Sequence, residues 1–201
     1  MKNYTHQLKK SYLTLVFILG CLLLHTDLHA IPKEVLLTKA QQLEESLIEY
    51  WGVDKYTAGY IRNKMTPILE NTEYHSIIDD FVEKSKNLHI DFSSIKKIPV
   101  IHPEDGIYKS PEQHVVLFEN PYVRIFLSST KPGVREPFHM HAWKSLMVII
   151  KPTTYEIETM DGLVTTGYWP TGVYELPPEE YYACTNIGNN EDECLRFEVK
   201  N

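Results

Sequence analysis

His139 and His141 are the residues whose type and spacing could begin a metal site. Alternate side chains of a β-strand leave the same face, so both rings could reach one ion at about 2.0–2.1 Å from a ring nitrogen. Two protein ligands rarely hold a catalytic metal, and three with one open position are the usual minimum. A pair of hydrogen-bonded polar residues would show the same spacing, so the interpretation depends on the rest of the chain.

The elements that must position this pair are indicated by a change in hydrophobic period. In residues 31–90, apolar residues such as Leu43 and Leu47 recur at helical spacing, which predicts short helices. Residues 91–111 have the prolines and the irregular pattern of a linker. Residues 112–201 contain about nine short β-rich runs separated by turn residues. The sequence therefore predicts a mainly β domain, a sandwich or barrel, that follows a short helical N-terminal region.

Residues 1–30 have the features of a secretory signal peptide. Basic residues precede an uncharged apolar run at 12–24, and Ala30 ends a passable cleavage site. That run of 13 residues is short for a membrane span, although a retained anchor is one alternative. A lipoprotein attached through Cys21 is another, weakened by the leucines that follow it. We expect a periplasmic or secreted protein.

The charge of the chain bears on its partners. The formal net charge is −7, and it becomes −9 once the three basic residues and one acidic residue of 1–30 are removed. No block of basic residues is present, so neither nucleic acid nor an anionic membrane is favoured, and no stable membrane insertion is expected after signal removal. The helices of 31–90 are expected to pack on the β domain, with a homodimer through this region as the alternative.

The region around the histidine pair resembles the cupins. Gly133, five residues, His139, one residue and His141 have the spacing of the first half of a cupin motif, and the stretch at 172–188 is similar to the second motif. The resemblance covers roughly residues 112–200 and excludes the helical region. It implies a cupin-like jelly-roll β-barrel with the histidine pair on its inner face near one mouth.

Two positions depart from the metal-binding pattern of this family. Ser145 stands where the family has a glutamate ligand, and Tyr182 stands where it has a further histidine. Tyr182 can be a phenolate ligand, a hydroxyl that holds a substrate oxygen or transfers a proton, or an aromatic that fills space. Glu179 and Glu180 are expected to be solvated turn residues.

The two remaining histidines of interest carry no such signal. His102 and His114 have no partner at ligand spacing, and they are predicted to lie on the linker and on a strand surface.

The two cysteines outside residues 1–30 predict a hairpin. Cys184 and Cys194 flank turn residues, so a hairpin would place them opposite each other, and an oxidising compartment would favour a disulfide. Two buried thiols are the alternative. The same register would put Tyr182 beside Arg196 on the inner face, which would suit a carboxylate or another small anion. An exposed Arg196 is the other interpretation.

Three functions follow from these residues. The first is an exported barrel with a small-molecule site, built around His139, His141 and Tyr182 and extended by Arg196, with at most a weak or atypical metal. The second is a metal-dependent cupin enzyme of the oxygenase, isomerase or lyase type, in which Tyr182 is catalytic and the ion is Fe, Mn, Ni or Zn. The third is an interaction protein that works through the helical region. A site without any metal belongs to the first interpretation.

Overall fold

The structure of the protein is a computed structural model that describes residues 32–93 and 99–200. The predicted signal peptide, with Cys21, lies outside these residues. Within the described ranges, none of the helices combines the length and the apolar character that crossing a bilayer requires.

The helical region consists of helices of 4 to 19 residues separated by short breaks. Asp54 caps the second helix, because its carboxylate accepts from the backbone N–H groups of Tyr56 and Thr57. The helices are α1 (Lys33–Trp51), α2 (Lys55–Lys64), α3 (Thr66–Leu69), a 3-10 turn (Thr72–Tyr74), α4 (His75–Asn87) and, beyond the linker, α5 (Gly106–Lys109).

The β region contains nine strands in two antiparallel sheets. The first sheet has the order β1-β2-β9-β4-β7, and the second has the order β3-β8-β5-β6. Each sheet interleaves strands that are distant in sequence, which is the topology of a jelly roll. The strands are β1 (His114–Glu119), β2 (Val123–Ser128), β3 (His139–His141), β4 (Ser145–Lys151), β5 (Thr154–Thr159), β6 (Val164–Tyr168), β7 (Gly172–Leu176), β8 (Glu179–Asn186) and β9 (Glu193–Val199).

Strand β9 shows how the five-stranded sheet is buried on both faces. Leu195 and Phe197 belong to the hydrophobic core that the sheet shares with the helices. Cys194 and Arg196, which alternate with them, line the cavity inside the barrel. The strand is therefore covered on one side by helices and on the other by the barrel interior.

The helical region packs on the outer face of this sheet. The ring centroid of Phe197 lies 5.1 Å from that of Trp51 at the end of α1 and 4.9 Å from that of Phe81 in α4. Leu43 and Leu47, whose spacing predicted the first helix, are fully buried in the same core. The apolar face of α1 is thus covered within the chain.

The predicted Cys184–Cys194 disulfide is wrong. Both residues are free thiols, and their strands belong to different sheets. Cys184 lies opposite Ile157 in one sheet, and Cys194 lies opposite Ser128 and Ile149 in the other. The turn residues between them carry the chain from sheet to sheet, so the hairpin register, including the pairing of Tyr182 with Arg196, does not form. Burial raises the pKa of Cys194 to about 12, which keeps this thiol neutral.

Phe197→Ala is expected to lower the free energy of unfolding by about 3–5 kcal/mol, because it leaves a cavity between α1, α4 and the sheet. Urea unfolding followed by circular dichroism measures this loss. Tyr56→Ala is the control, since that ring is 87% exposed, and it should change stability by less than about 0.5 kcal/mol. Equal effects of the two substitutions would contradict the shared core.

Candidate metal centre and cavity

Three histidines converge inside the barrel. His139 and His141 point inward from β3, and His114 joins them from the start of β1. One ring nitrogen of each lies within 4.8 Å of the others, and the exposed fractions of the residues are 5% for His114 and 1% for the other two. Three neutral imidazoles at this spacing can bind a single transition-metal ion.

His114 corrects an expectation from the sequence, which placed it on a strand surface. It lies opposite Ser128, because β1 extends the five-stranded sheet at its β2 edge and turns this side chain into the barrel. The contact with His139 and His141 is created by sheet topology over 25 residues of chain. No spacing signal links them; only a correct pairing of β1 with β2 could have found His114.

The hydrogen bonds of the three rings fix the atom that each presents. Every Nδ1 lies beside an oxygen that can accept: Ser110 O at 3.1 Å and Ser110 Oγ at 2.9 Å from His114, Pro137 O at 2.8 Å from His139, and Glu198 Oε1 at 3.2 Å from His141. This arrangement favours a proton on each Nδ1, which leaves each Nε2 with its lone pair. Metal-bound histidines in proteins are held in this way by the hydrogen bond of the other nitrogen.

Electrostatics keeps the imidazoles in the metal-binding form. Burial lowers the pKa of His114 to about 3. Burial, followed by the positive charge of Arg196, lowers the pKa of His141 well below its usual value. Both rings are neutral at physiological pH, so their Nε2 lone pairs are available.

The Glu136 carboxylate lies beside two of the three rings. Its Oε2 lies 3.7 Å from His114 Nε2 and 3.6 Å from His139 Nε2, while its Oε1 accepts from Thr130 Oγ1 at 2.6 Å. His139 Nε2 is buried and has no hydrogen-bond partner among the described residues. Ligands held about 2.1 Å from a tetrahedral ion lie about 3.4 Å apart. The spacing of these atoms therefore fits a cation between them.

The two positions that depart from the family pattern do not leave the site incomplete. Ser145 is fully buried on β4, where its hydroxyl has no partner among the described residues. Tyr182 packs its ring against His139, with centroids 4.8 Å apart. Burial raises the pKa of Tyr182 well above 10, so this residue is a neutral phenol, which favours a hydroxyl donor over a phenolate ligand. The third imidazole comes from His114, and the Glu136 carboxylate lies beside it and His139.

A buried ion network supports His141 from behind. Arg124 donates from Nε to Glu198 Oε2 at 2.6 Å and from Nη2 to both oxygens of Asp105 at 2.9 Å. All three side chains are fully buried, and the guanidinium also lies 4.6 Å from the ring centroid of Trp143. Arg124 thereby holds the carboxylate that accepts from His141 Nδ1.

Gly106 forms one wall of the centre. Asp105 caps α5 by accepting from Ile107 N, and this places Gly106 against the histidine rings. A Cβ at position 106 would lie 2.9 Å from His141 Cε1 and 3.0 Å from His139 Cδ2. A larger residue would have to displace one of these rings.

The centre opens into a cavity of about 940 Å³, within the usual range of small-molecule sites. Its walls are largely apolar, with Tyr182 and Arg196 among the polar groups. Arg196 is 3% exposed and lies on the inner face. The disulfide register that suggested this position is wrong, but strand alternation in β9 places the side chain there. Glu179 and Glu180, expected in a turn, begin β8 and also line the cavity.

Comparisons with known proteins give matches to solved structures alone. No protein-family model and no curated protein matches the chain. A cupin domain from Bordetella pertussis Tohama I is 21% identical, and the match covers 44% of this chain and 92% of that one with a TM-score of 0.41. A cupin superfamily protein from Desulfitobacterium hafniense is 19% identical, and the match covers 44% of this chain and 76% of that one with a TM-score of 0.34.

A third similar structure is an RmlC-like cupin family protein with a double-stranded β-helix fold from Methanocaldococcus jannaschii. It is 16% identical, with coverage of 53% of this chain and 93% of that one and a TM-score of 0.35. The fold is a cupin-like jelly roll. The strand order of the two sheets establishes this, as the sequence predicted.

Asp192 is expected to make stability depend on pH. Burial raises the pKa of this cavity-lining carboxyl to about 6, although Tyr155 and the Thr130 N–H donate to it. Because the folded-state pKa lies above the unfolded value, the stabilisation is complete below about pH 4 and is lost as the pH rises through 6. Asp192→Asn should remove roughly 2–3 kcal/mol of this dependence.

The measurement is the free energy of unfolding of wild type and Asp192→Asn at pH 4 and pH 7. The difference between the two proteins at each pH isolates this carboxyl from other titrating groups. A difference that does not change with pH would contradict the raised pKa.

Proposed function

We propose that this chain is an exported barrel that binds one divalent transition-metal ion and holds a small molecule beside it. The observation that carries the proposal is the convergence of His114, His139 and His141, with the Glu136 carboxylate beside two of the three rings. Glu136 Oε2 lies 3.6–3.7 Å from the Nε2 atoms of His114 and His139, and a cation between them would be attracted to all three atoms.

The donor set suits several ions. Imidazole and carboxylate together are ligands that Fe, Mn, Ni and Zn accept in proteins. A bound ion would supply Lewis-acid or redox chemistry at the end of the cavity. The chain itself orients three rings, keeps their Nε2 atoms unprotonated, and limits access with Gly106 and apolar walls.

Metal analysis of the mature chain, purified without a His tag, tests this proposal. We expect about one ion per chain. His114→Ala and His139→Ala should each lower the metal content well below one ion per chain, because each removes one of the three converging imidazoles and leaves two. Glu136→Gln should weaken metal affinity at least tenfold, since a neutral amide replaces a carboxylate.

His102→Ala is the matched control, because His102 is exposed on the linker and should leave the metal content unchanged. Full occupancy in His114→Ala would contradict the role of that residue. No metal in the wild type, together with no thermal stabilisation by added Fe, Mn, Ni or Zn, would overturn the metal proposal and leave a metal-free binding site.

A metal-dependent enzyme is the second candidate, and the position of Tyr182 favours it. This neutral phenol borders the cavity against His139, where it can donate a hydrogen bond to an oxygen of a bound molecule or transfer a proton to it. In this candidate Tyr182 is the acid, and the histidines and Glu136 hold the ion.

We propose that residues 1–30 direct export and that the mature protein comprises the helical region 31–90, the linker 91–111 and the barrel 112–201. The charged start, the apolar run and Ala30 support this proposal. N-terminal sequencing of protein recovered from the periplasm or medium should begin at Ile31. A chain that still begins at Met1, or that carries lipid on Cys21, would contradict it.

A further inference from the structure

The guanidinium of Arg196 presents a carboxylate-binding edge to the cavity. Its Nε and Nη2 atoms are buried and make no hydrogen bond with the described residues. These two nitrogens form one edge of the planar fork, which carboxylates bind through two parallel hydrogen bonds. The side chain is almost completely buried in the wall of the cavity, so a bound molecule could satisfy both groups.

Glu179 occupies this edge imperfectly. Its Oε2 lies 2.6 Å from Arg196 Nη2, but the contact does not have the angles of a hydrogen bond, and Oε2 itself has no such partner among the described residues. The Glu198 carboxylate is 3.8 Å from Nε, which is also beyond hydrogen-bond range. The side chain of Glu179 is 28% exposed at the start of β8, so a competing carboxylate can reach the same edge.

The edge lies beside the candidate metal centre. Arg196 is opposite Phe126 in the sheet, and the Phe126 ring stacks on His141 with centroids 5.6 Å apart and planes at 11°. A small molecule held at Arg196 therefore sits next to the histidines.

The other lining groups limit what such a molecule can be. Apolar side chains, including Met147, Ile149, Ile157 and Trp169, form much of the wall and suit an apolar body. Four further carboxyl groups also line the cavity and would repel a second negative charge: Glu136, Asp161, Glu180 and Asp192. The balance favours a ligand with one carboxylate.

We propose that the cavity binds an amphipathic monocarboxylate, whose carboxylate displaces Glu179 from the Nε and Nη2 edge of Arg196 while its apolar body lies against the barrel wall. This inference rests on the small-molecule part of the proposed function and does not require the metal. Glu179 thus acts as an internal competitor for the ligand.

Calorimetric titration of the mature full chain with three probes of equal length tests the ligand class. Octanoate should bind at least tenfold more tightly than octanamide, which lacks the charge, and than octanedioate, which adds a second one. The titrations are made on metal-loaded and chelator-treated protein. Equal affinity for octanoate and octanamide, or no binding of octanoate, would overturn the proposal.

Three variants test the displacement. Glu179→Gln should tighten octanoate binding about tenfold, because the competitor loses its charge. Glu175→Gln removes the same charge from a residue of β7 whose side chain is 49% exposed and does not line the cavity, and it should change affinity less than twofold. Arg196→Lys should weaken binding at least tenfold, since an ammonium cannot form the two parallel hydrogen bonds.

Equal tightening by Glu179→Gln and Glu175→Gln would show general electrostatics and overturn displacement. Near-ultraviolet circular dichroism shows whether Arg196→Lys is misfolded. If it is, the two glutamate variants alone test the displacement. Loss of octanoate binding with full metal occupancy would remove this inference and leave the metal proposal. Octanoate binding to a protein that takes up no metal would keep this inference and remove the metal proposal.

Discussion

The ion network centred on Arg124 is the interaction on which the site depends. Removing a charge from water costs several kcal/mol, and a buried guanidinium is tolerated only where its partners are well placed. Arg124 lies between the carboxylates of Asp105 and Glu198, all of them fully buried. Asp105 fixes the short helix that brings Gly106 against the histidines, and Glu198 holds His141. The guanidinium of Arg124 thereby positions both Gly106 and His141 at the candidate metal centre.

The candidate metal centre shows why a sequence motif can be incomplete while the donor set is not. An ion requires donor atoms that surround one point, and any strand or loop can supply them. Here Ser145 and Tyr182 occupy the positions at which the cupin pattern has ligands, whereas His114 and Glu136 bring an imidazole and a carboxylate to the same interior from elsewhere.

Local pattern was sufficient to predict the helices and the β domain after them, because alternation and spacing act within a few residues. The jelly roll and the inward direction of His139 and His141 were implied by the resemblance to cupins. Local pattern was not sufficient for His114, for Glu136 or for the state of Cys184 and Cys194, because these depend on which sheet each strand joins. The turn residues before β9 are equally compatible with a hairpin within one sheet and with a crossing from one sheet to the other. The length of this turn does not distinguish the two connections.

Strand β9 lies between β2 and β4 in the five-stranded sheet, although about seventy residues separate it from β2 in the chain. During synthesis, β2 and β4 therefore remain without their common neighbour until residues 193–199 have left the ribosome. Neither the helical layer nor the barrel interior can close before then, because this strand contributes to both. The order of translation thus delays the assembly of the domain, because both layers wait for the same strand.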